Sequence, residues 1–361
     1  MPKTISIYGR PFVVGGGEAD AYYCLLPDGA DLTDGTGVND AVNADRAGGV
    51  GDVTRGAGVD PTDPVLVALR SHVGPQAVCV DAGANIGLYS LAMSALAPDG
   101  RVYAFEPSPT AFGHLEENLR RNRVPNVEAS PLALGDRAGT VEFHDFSYFS
   151  AGSFAAGEGS LLSSASYGST VSQAPVTTLD QVAADVPLER VDLVKIDVEG
   201  AELSVLEGAA AVLAAHRPTV ILEFNSFAFA MHQSVLPQVA LARIRRTFPY
   251  VYVIGREDGT LARLESPSEE YDFLYDNGIH GPSDNFVCTF ADLDVGRRYE
   301  RIGGKPPEGP SEADEMRRTM SWRITRPLRE AKARLQATRA ATLLAPWLAR
   351  RAEDAGGRRD T

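Results

Sequence analysis

The sequence predicts an α/β fold, a doubly wound and mostly parallel sheet that finishes in an antiparallel hairpin. Three observations carry this expectation. Short apolar runs at Val78–Val80, Val102–Phe105, Val191–Ile196 and Val220–Phe224 alternate with stretches of helical character. The runs Tyr250–Ile254 and Thr260–Leu264 flank a polar turn that starts and ends on glycine, Gly255 and Gly259. A glycine-punctuated turn, D-A-G-A-N-I-G at 81–87, follows the first apolar run, and the second ends on an acid, Glu106.

The elements follow in order. Residues 1–60 are rich in Gly and Asp, with one apolar patch at Ala21–Leu26 that suits a strand. Asp63 and Pro64 make a favourable cap and first turn for a helix within 61–73. Val78–Val80 suits a short buried strand, Gly83 and Gly87 let the chain turn tightly, and Ile86–Ala97 carries helix formers. Pro109–Arg121 reads as a helix, Val127–Leu134 as a strand, and Thr140–Phe143 as an extra strand. Residues 147–175 lack periodicity and read as a lid or binding segment, or as a simply mobile loop. Thr178-Leu179-Asp180 opens a helix, Ala201–Ala215 forms another, and Asn285–Phe290 is the last strand. This gives an extension at 1–60, a catalytic domain at 61–292 and a tail at 293–361.

Composition sets limits. The 361 residues, 44% of them hydrophobic, can bury one large core. No run reaches the roughly 18 apolar residues of a spanning helix, and no export pattern opens the chain, so the expected location is the cytoplasm. Cys24, Cys79 and Cys288 are odd in number and irregular in spacing, which argues against a disulfide framework and against zinc. The net charge is −14, yet residues 316–361 hold 12 Lys+Arg against 4 Asp+Glu, which leaves −22 on the rest. A body so acidic is a poor nucleic-acid binder.

Strand, glycine turn and helix leave backbone N–H groups facing a ligand, and an acid about 20 residues on accepts ribose hydroxyls. The dinucleotide spelling G-x-G-x-x-G is absent, because Ala82 and Ala84 stand where its first two glycines belong. Asp81 at the strand end repels a pyrophosphate and suits a cationic ligand, which favours S-adenosylmethionine over NAD.

A second cluster is V-D-L-V-K-I-D-V-E-G-A-E at 191–202. Strand alternation puts Leu193, Lys195 and Asp197 on one face. A lysine inside a covered strand is costly unless paired, and Asp197 is its natural partner. Glu199 follows, and one strand later Glu223 again ends an apolar run, with His232 beyond it. These acids fall at the carboxyl ends of neighbouring strands, where open sheets bind ligands.

The segments VDAGANIGLYS, VYAFEPSP, TLDQV, VDLVKIDVEGAELSVLEGA and TVILEFN closely resemble, in this order and spacing, the FkbM family of S-adenosylmethionine-dependent methyltransferases. The resemblance covers about residues 61–292. It implies a seven-stranded class I methyltransferase (Rossmann-like) sheet and O-methylation of a hydroxyl on a natural product or a sugar. It also implies that Asp81, Gly83, Asn85 and Gly87 hold the methionine end and loop, that Glu106 takes the ribose, and that Leu134 to Asp136 lie by the adenine.

Methyl transfer to an alcohol needs alignment, exclusion of water and removal of a proton. Asp197 is the first candidate base, Glu223 the second and His232 the third. The competing device is Mg²⁺ held by Asp197, Glu199 and Glu223. The tail, with Trp322, Ile324, Leu328 and Leu335 among Arg317, Arg318, Arg323, Arg326, Arg329, Lys332 and Arg334, has two readings. It can settle on an anionic inner-membrane face, or it can remain a solvated tail or a contact for a glycosyltransferase partner. The string S-W-R-I-T-x-P-L-R resembles tails of bacterial enzymes that build surface polysaccharides. These features favour a sugar hydroxyl of a cell-surface glycan or its precursor as acceptor, with natural-product tailoring as the alternative. A cofactor-binding scaffold subunit that has lost catalysis is the reading from another class.

Overall fold

The chain was analysed as a computed structural model that describes residues 2–16, 63–146, 152–157, 160, 169–186 and 188–302. The candidate strand at Ala21–Leu26 and the basic tail lie outside the described residues. The chain divides into two compact units, Met1–Asn277 with Pro282–Gly304, and Gly278–Gly281 with Lys305–Thr361. Of the second unit, residues 278–281 are described.

The N-terminus forms a hairpin of β1 (Lys3–Ile7) and β2 (Arg10–Val14). Its turn is Tyr8-Gly9, with φ 52° and 72°, the double positive φ that matches strand twist in two-residue hairpins. Then come α1 (Pro64–His72), β3 (Val78–Ala82), α2 (Leu88–Leu96), β4 (Arg101–Phe105), α3 (Pro109–Arg121), β5 (Val127–Ser130), β6 (Ala133–Leu134), β7 (Gly139–Asp145), β8 (Phe154–Ala155) and β9 (Thr170–Thr177). After these follow α4 (Leu179–Asp185), β10 (Leu193–Ile196), α5 (Glu202–Glu207), α6 (Ala210–His216), β11 (Thr219–Asn225), α7 (Ser226–His232), α8 (Pro237–Thr247), β12 (Tyr250–Ile254), β13 (Leu261–Leu264), α9 (Pro267–His280) and β14 (Ser283–Thr289).

The main sheet runs β13-β12-β14-β11-β10-β3-β4-β5. Strands β5, β4, β3, β10 and β11 are parallel, and β14 enters antiparallel between β11 and β12. Seven of its strands make the expected class I methyltransferase sheet. The eighth, β13, is the second arm of the predicted hairpin, so the expected count of seven is corrected to eight among the described residues.

Both faces are covered, and strand alternation decides which side chain goes where. Cys79, Val102, Ala104, Leu193 and Ile221 pack with α1, α2, α3 and the hairpin's Ile5, Ile7, Phe12 and Val14. Val80, Phe105, Val194, Ile196, Val220 and Leu222 pack with α4, α5, α6, α8 and α9. An isolated hairpin is marginal in water, and each of its buried side chains contributes roughly 1.5–3 kcal/mol against the body. Asn118 on α3 and Asn122, which caps its C-terminus, extend the attachment, trading hydrogen bonds of 2.6–2.9 Å with the main chain of Val13 and Gly15.

The structure revises three other expectations. The strand Val127–Leu134 breaks at Pro131, which has no N–H for a ladder, so β5 joins the main sheet while β6 pairs with β9. The extra strand, β7, belongs to a separate sheet ordered β6-β9-β7-β8, and β8 and β9 occupy part of the expected loop at 147–175. The helix Ala201–Ala215 divides at Gly208, where a Cβ would lie 1.9 Å from the Gly135 carbonyl oxygen. Among the described residues no helix is long and apolar enough to cross a membrane.

Candidate active site at the strand ends

Asp81 is the penultimate residue of β3, and the chain turns immediately after it. Gly83 and Ala84 both donate to the Phe105 carbonyl, and Asp197 donates its N–H to Ala82 across the sheet. The turn is possible because Gly83 (φ 80°) has no side chain. A Cβ there would stand 1.8 Å from the Asp197 carbonyl oxygen. Gly87 (φ 93°) caps α2 without a side-chain hydrogen bond, and Asn85 also lies in the left-handed region (φ 50°). The loop is held open by Glu106. Its Oε2 accepts from the Asn85 N–H at 2.8 Å, and its Oε1 accepts from the Ser108 N–H at 2.8 Å. Burial pushes the Glu106 carboxyl up to about 7, against the two N–H donors that favour its charged form.

Asn85 Oδ1 in this loop has no hydrogen-bond partner, and Asp81 Oδ1 has the Lys195 ammonium as its neighbour, 3.7 Å away. The open acceptor at Asn85 suits a ligand that brings a donor, and the carboxylates of Asp81 and Glu106 around the turn disfavour a pyrophosphate. Each Glu106 oxygen retains a second lone pair for a hydroxyl. The loop therefore fits the ammonium, sulfonium and ribose of S-adenosylmethionine.

Lys195 lies beside Asp81 in the β10–β3 register and is 2% exposed. Its Nζ is 3.1 Å from Asp197 Oδ2, 3.7 Å from Asp81 Oδ1 and 4.4 Å from the centre of the Tyr89 ring. Burial works against the ammonium, yet Asp197 and Asp81 outweigh it and hold the Lys195 pKa above its ordinary value. Burial raises the Asp81 pKa against Lys195 and against Ser90, whose hydroxyl donates to Oδ2 at 2.6 Å. The expected pairing of Lys195 with Asp197 is present. The second partner, Asp81, follows from cross-strand register, which sequence spacing does not reveal.

Beyond β10 the acids converge. One carboxylate oxygen each from Asp197, Glu199 and Glu223 lie within 4.8 Å of one another. Glu199 sits at φ 52°, its Oε2 accepts from Asn225 Nδ2 at 3.2 Å, and Glu223 Oε1 accepts from the Ser283 hydroxyl at 2.5 Å. Glu223 Oε2 is buried without a partner. Burial raises the pKa of both glutamates, and the neighbouring carboxylates add to it. Three hard oxygen donors match what Mg²⁺ takes, so these residues are the ones that could hold a divalent ion.

His232 meets the cluster from the side. Its Nδ1 donates to the Glu199 carbonyl at 2.7 Å, and its ring stacks on Phe154 with centroids 3.7 Å apart. Burial drives its pKa down to about 4, so the imidazole is neutral at pH 7. Phe154 stacks its other side on His144, which ties the second sheet to the site. Leu134 is buried in the same core cluster as Phe105, and Asp136 lies at the surface next to Arg137. Neither bonds to the Asp81 loop or to Glu106.

Residues that sequence reasoning missed do supporting work. Tyr89 donates to Asp63 Oδ2 at 2.8 Å, and the fully buried Glu202 accepts through Oε1 from Val198 and Gly200, fixing the turn that carries Glu199. Burial pushes Glu202 up to about 7, and its Oε2 has no hydrogen-bond partner. The folded pKa lies above the unfolded one near 4.5, so this group's contribution is fully present below pH 4.5 and is lost as pH rises through 7. Glu202→Gln is therefore expected to gain about 3 kcal/mol relative to wild type between pH 4 and pH 8. Denaturant melts of both proteins across that range measure the difference, and a pH-independent difference would refute the assignment.

Compared with known families, residues 81–252 match the Methyltransferase FkbM domain, a stretch that runs from Asp81 through His232 into β12. Among curated proteins, the chain is similar to part of the AMB antimetabolite synthetase AmbE of Pseudomonas aeruginosa, 34% identical over 180 residues that are 42% of this chain and 8% of that protein. It is similar to Methyltransferase sdnD of Sordaria araneosa, 35% identical over 36% of this chain and 59% of that one. It is also similar to the 2-O-methyltransferase NoeI of Sinorhizobium fredii, 29% identical over 37% of this chain and 58% of that one. The chain thus spans less than two thirds of each of these relatives.

Proposed function

We propose that the protein is an S-adenosylmethionine-dependent O-methyltransferase whose acceptor is a hydroxyl of a sugar, in a cell-surface glycan or its precursor. The observation that carries this is the placement of Asp197. It stands at the end of β10, next to the Gly83 turn of the cofactor loop, with one oxygen on a buried lysine and a side chain one-third exposed. The name of the relative NoeI, a 2-O-methyltransferase, supports oxygen as the acceptor atom. AmbE, an antimetabolite synthetase, supports tailoring of a natural product as the second reading.

The bound cofactor supplies a methyl group already activated on a sulfonium. The protein's part is to bind, align and deprotonate. Glu106 holds the ribose hydroxyls, and Asp81 with Asn85 receives the positively charged end. Asp197 Oδ1, which makes no hydrogen bond among the described residues, takes the acceptor's proton. Glu223 and Glu199 hold the acceptor's neighbouring hydroxyls, and the neutral His232 fixes the Glu199 backbone. Incubation with methyl-tritiated S-adenosylmethionine and a panel of methyl glycosides and hydroxylated natural products tests this. Label in an ether product is expected, and the absence of transfer to every member would reject the acceptor class.

The cofactor site has its own test. In Glu106→Gln the new amide N–H₂ must face one of the two backbone donors, at a cost of about 1–3 kcal/mol. S-adenosylhomocysteine should bind roughly 10- to 100-fold more weakly by calorimetry. Unchanged affinity would remove Glu106 from the site.

A further inference from the structure

A fully covered lysine in a central strand needs a reason, because desolvation of the ammonium is among the larger costs a sheet can carry. Neutralising Asp81 is one reason, and it leaves the closer contact unexplained. Asp81 is completely buried and already receives a 2.6 Å hydrogen bond from Ser90, yet the Lys195 ammonium stands closer to Asp197, at 3.1 Å against 3.7 Å. Asp197 has a third of its side chain exposed, within reach of solvent and of an acceptor, whereas Asp81 is closed off. The ammonium is also held in place. Tyr89 lies against it at 4.4 Å, and the phenol of Tyr89 is tied to Asp63, the residue that caps α1. The Asp197 main chain is fixed by its N–H to Ala82, and alternation along β10 puts the two side chains on one face. What remains to be decided at Asp197 is the rotation of its carboxylate, and Lys195 decides it.

We propose that Lys195 is a positioning residue for methyl transfer: by holding Oδ2 of Asp197 it makes Oδ1 the oxygen presented to the acceptor hydroxyl. The inference rests on the methyltransferase reading of the site. In the step it serves, the acceptor oxygen forms the C–O bond as the C–S bond breaks. The bonding pair stays on sulfur, which becomes a neutral thioether, and the hydroxyl proton passes to Asp197 Oδ1. Lys195 touches none of the reacting atoms. It removes a rotational freedom that would otherwise be lost in the transition state.

The test uses the full chain and two readouts. Crystals of wild type, Lys195→Met and Lys195→Arg grown with S-adenosylhomocysteine report the Asp197 carboxylate without any acceptor. It should be in one orientation in wild type and in Lys195→Arg, and turned or split in Lys195→Met, with the Gly83 turn unmoved. With the best acceptor of the glycoside panel, Lys195→Met should lower kcat about 100-fold with little change in KM. The loss should disappear when the same change is made in Asp197→Asn, since a residue acting through another adds nothing once that one is gone. An Asp197 carboxylate unchanged in Lys195→Met overturns the proposal, as do losses that multiply in the double variant. If Lys195→Met does not fold, Lys195→Arg decides: turnover no better than that of Asp197→Asn, or a carboxylate not bonded to the guanidinium, overturns it. Failure of wild type to bind S-adenosylhomocysteine would instead reject the methyltransferase reading itself.

Discussion

Asp197→Asn is expected to lower kcat by about 10²–10⁴-fold while leaving affinity for S-adenosylhomocysteine within a few-fold of wild type. The amide keeps the shape of the side chain, and its oxygen can still face Lys195 Nζ at the distance seen for Oδ2, 3.1 Å. It loses the capacity to take a proton. The main-chain contacts of Asp197, its N–H to Ala82 and its carbonyl against Gly83, do not involve the substituted atoms, so the cofactor loop keeps its form. A kcat loss with an unchanged KM and an unchanged dissociation constant separates a base from a binding residue. Should Glu223→Gln show the large loss and Asp197→Asn a small one, the proton goes to the carboxylate whose Oε2 is buried without a partner, and the roles must be exchanged.

The second large effect is expected at Gly83, through the backbone. Alanine there meets two obstacles, a φ of 80° and a Cβ 1.8 Å from the Asp197 carbonyl oxygen. Left-handed backbone in a non-glycine residue costs about 1–3 kcal/mol, and forcing an atom into a packed contact costs about the same again. The obstructing atom is main chain of the turn that carries Asp197 and Glu199, so relief by side-chain rotation is unavailable. Gly83→Ala should therefore lose roughly 3–5 kcal/mol, a fall in Tm of about 6–20 °C, and should weaken S-adenosylhomocysteine binding as the β3 and β10 ends separate. Scanning calorimetry with and without the ligand measures both effects. Wild-type Tm and affinity would show that the two strand ends are not in contact at this point.

The core of the fold could be read from the sequence because its signals are local. Apolar runs of three to six residues, the Asp63-Pro64 cap and the helix starting at Pro109 each act within a turn or a strand, and the elements formed where they predict. The candidate site was readable to the same depth. Asp81, Gly83, Asp197, Glu199 and Glu223 end neighbouring parallel strands, and strand ends are where such sheets gather side chains. What escaped depends on contacts between distant segments. Gly208 divides a helix because the Gly135 carbonyl passes it, and neither residue alone announces this. The second sheet escaped because β9 buries a single residue, Ala174, and so lacks the alternation that marks a strand. The N-terminal hairpin does alternate, at Ile5, Ile7, Phe12 and Val14, but it opens a stretch whose Gly- and Asp-rich composition dominates the reading of residues 1–60. His232 escaped differently. Its position suggests a base, while burial and a hydrogen bond to the Glu199 carbonyl make it a support for its neighbour.

Everything assigned to the acids depends on what the 81–87 turn holds. Isothermal titration of the full chain with S-adenosylhomocysteine and, separately, with NADH at pH 7 addresses it. The geometry of Asp81, Asn85 and Glu106 predicts saturable one-to-one binding of the first ligand and no heat from the second. Binding of NADH, or of neither ligand, would contradict it.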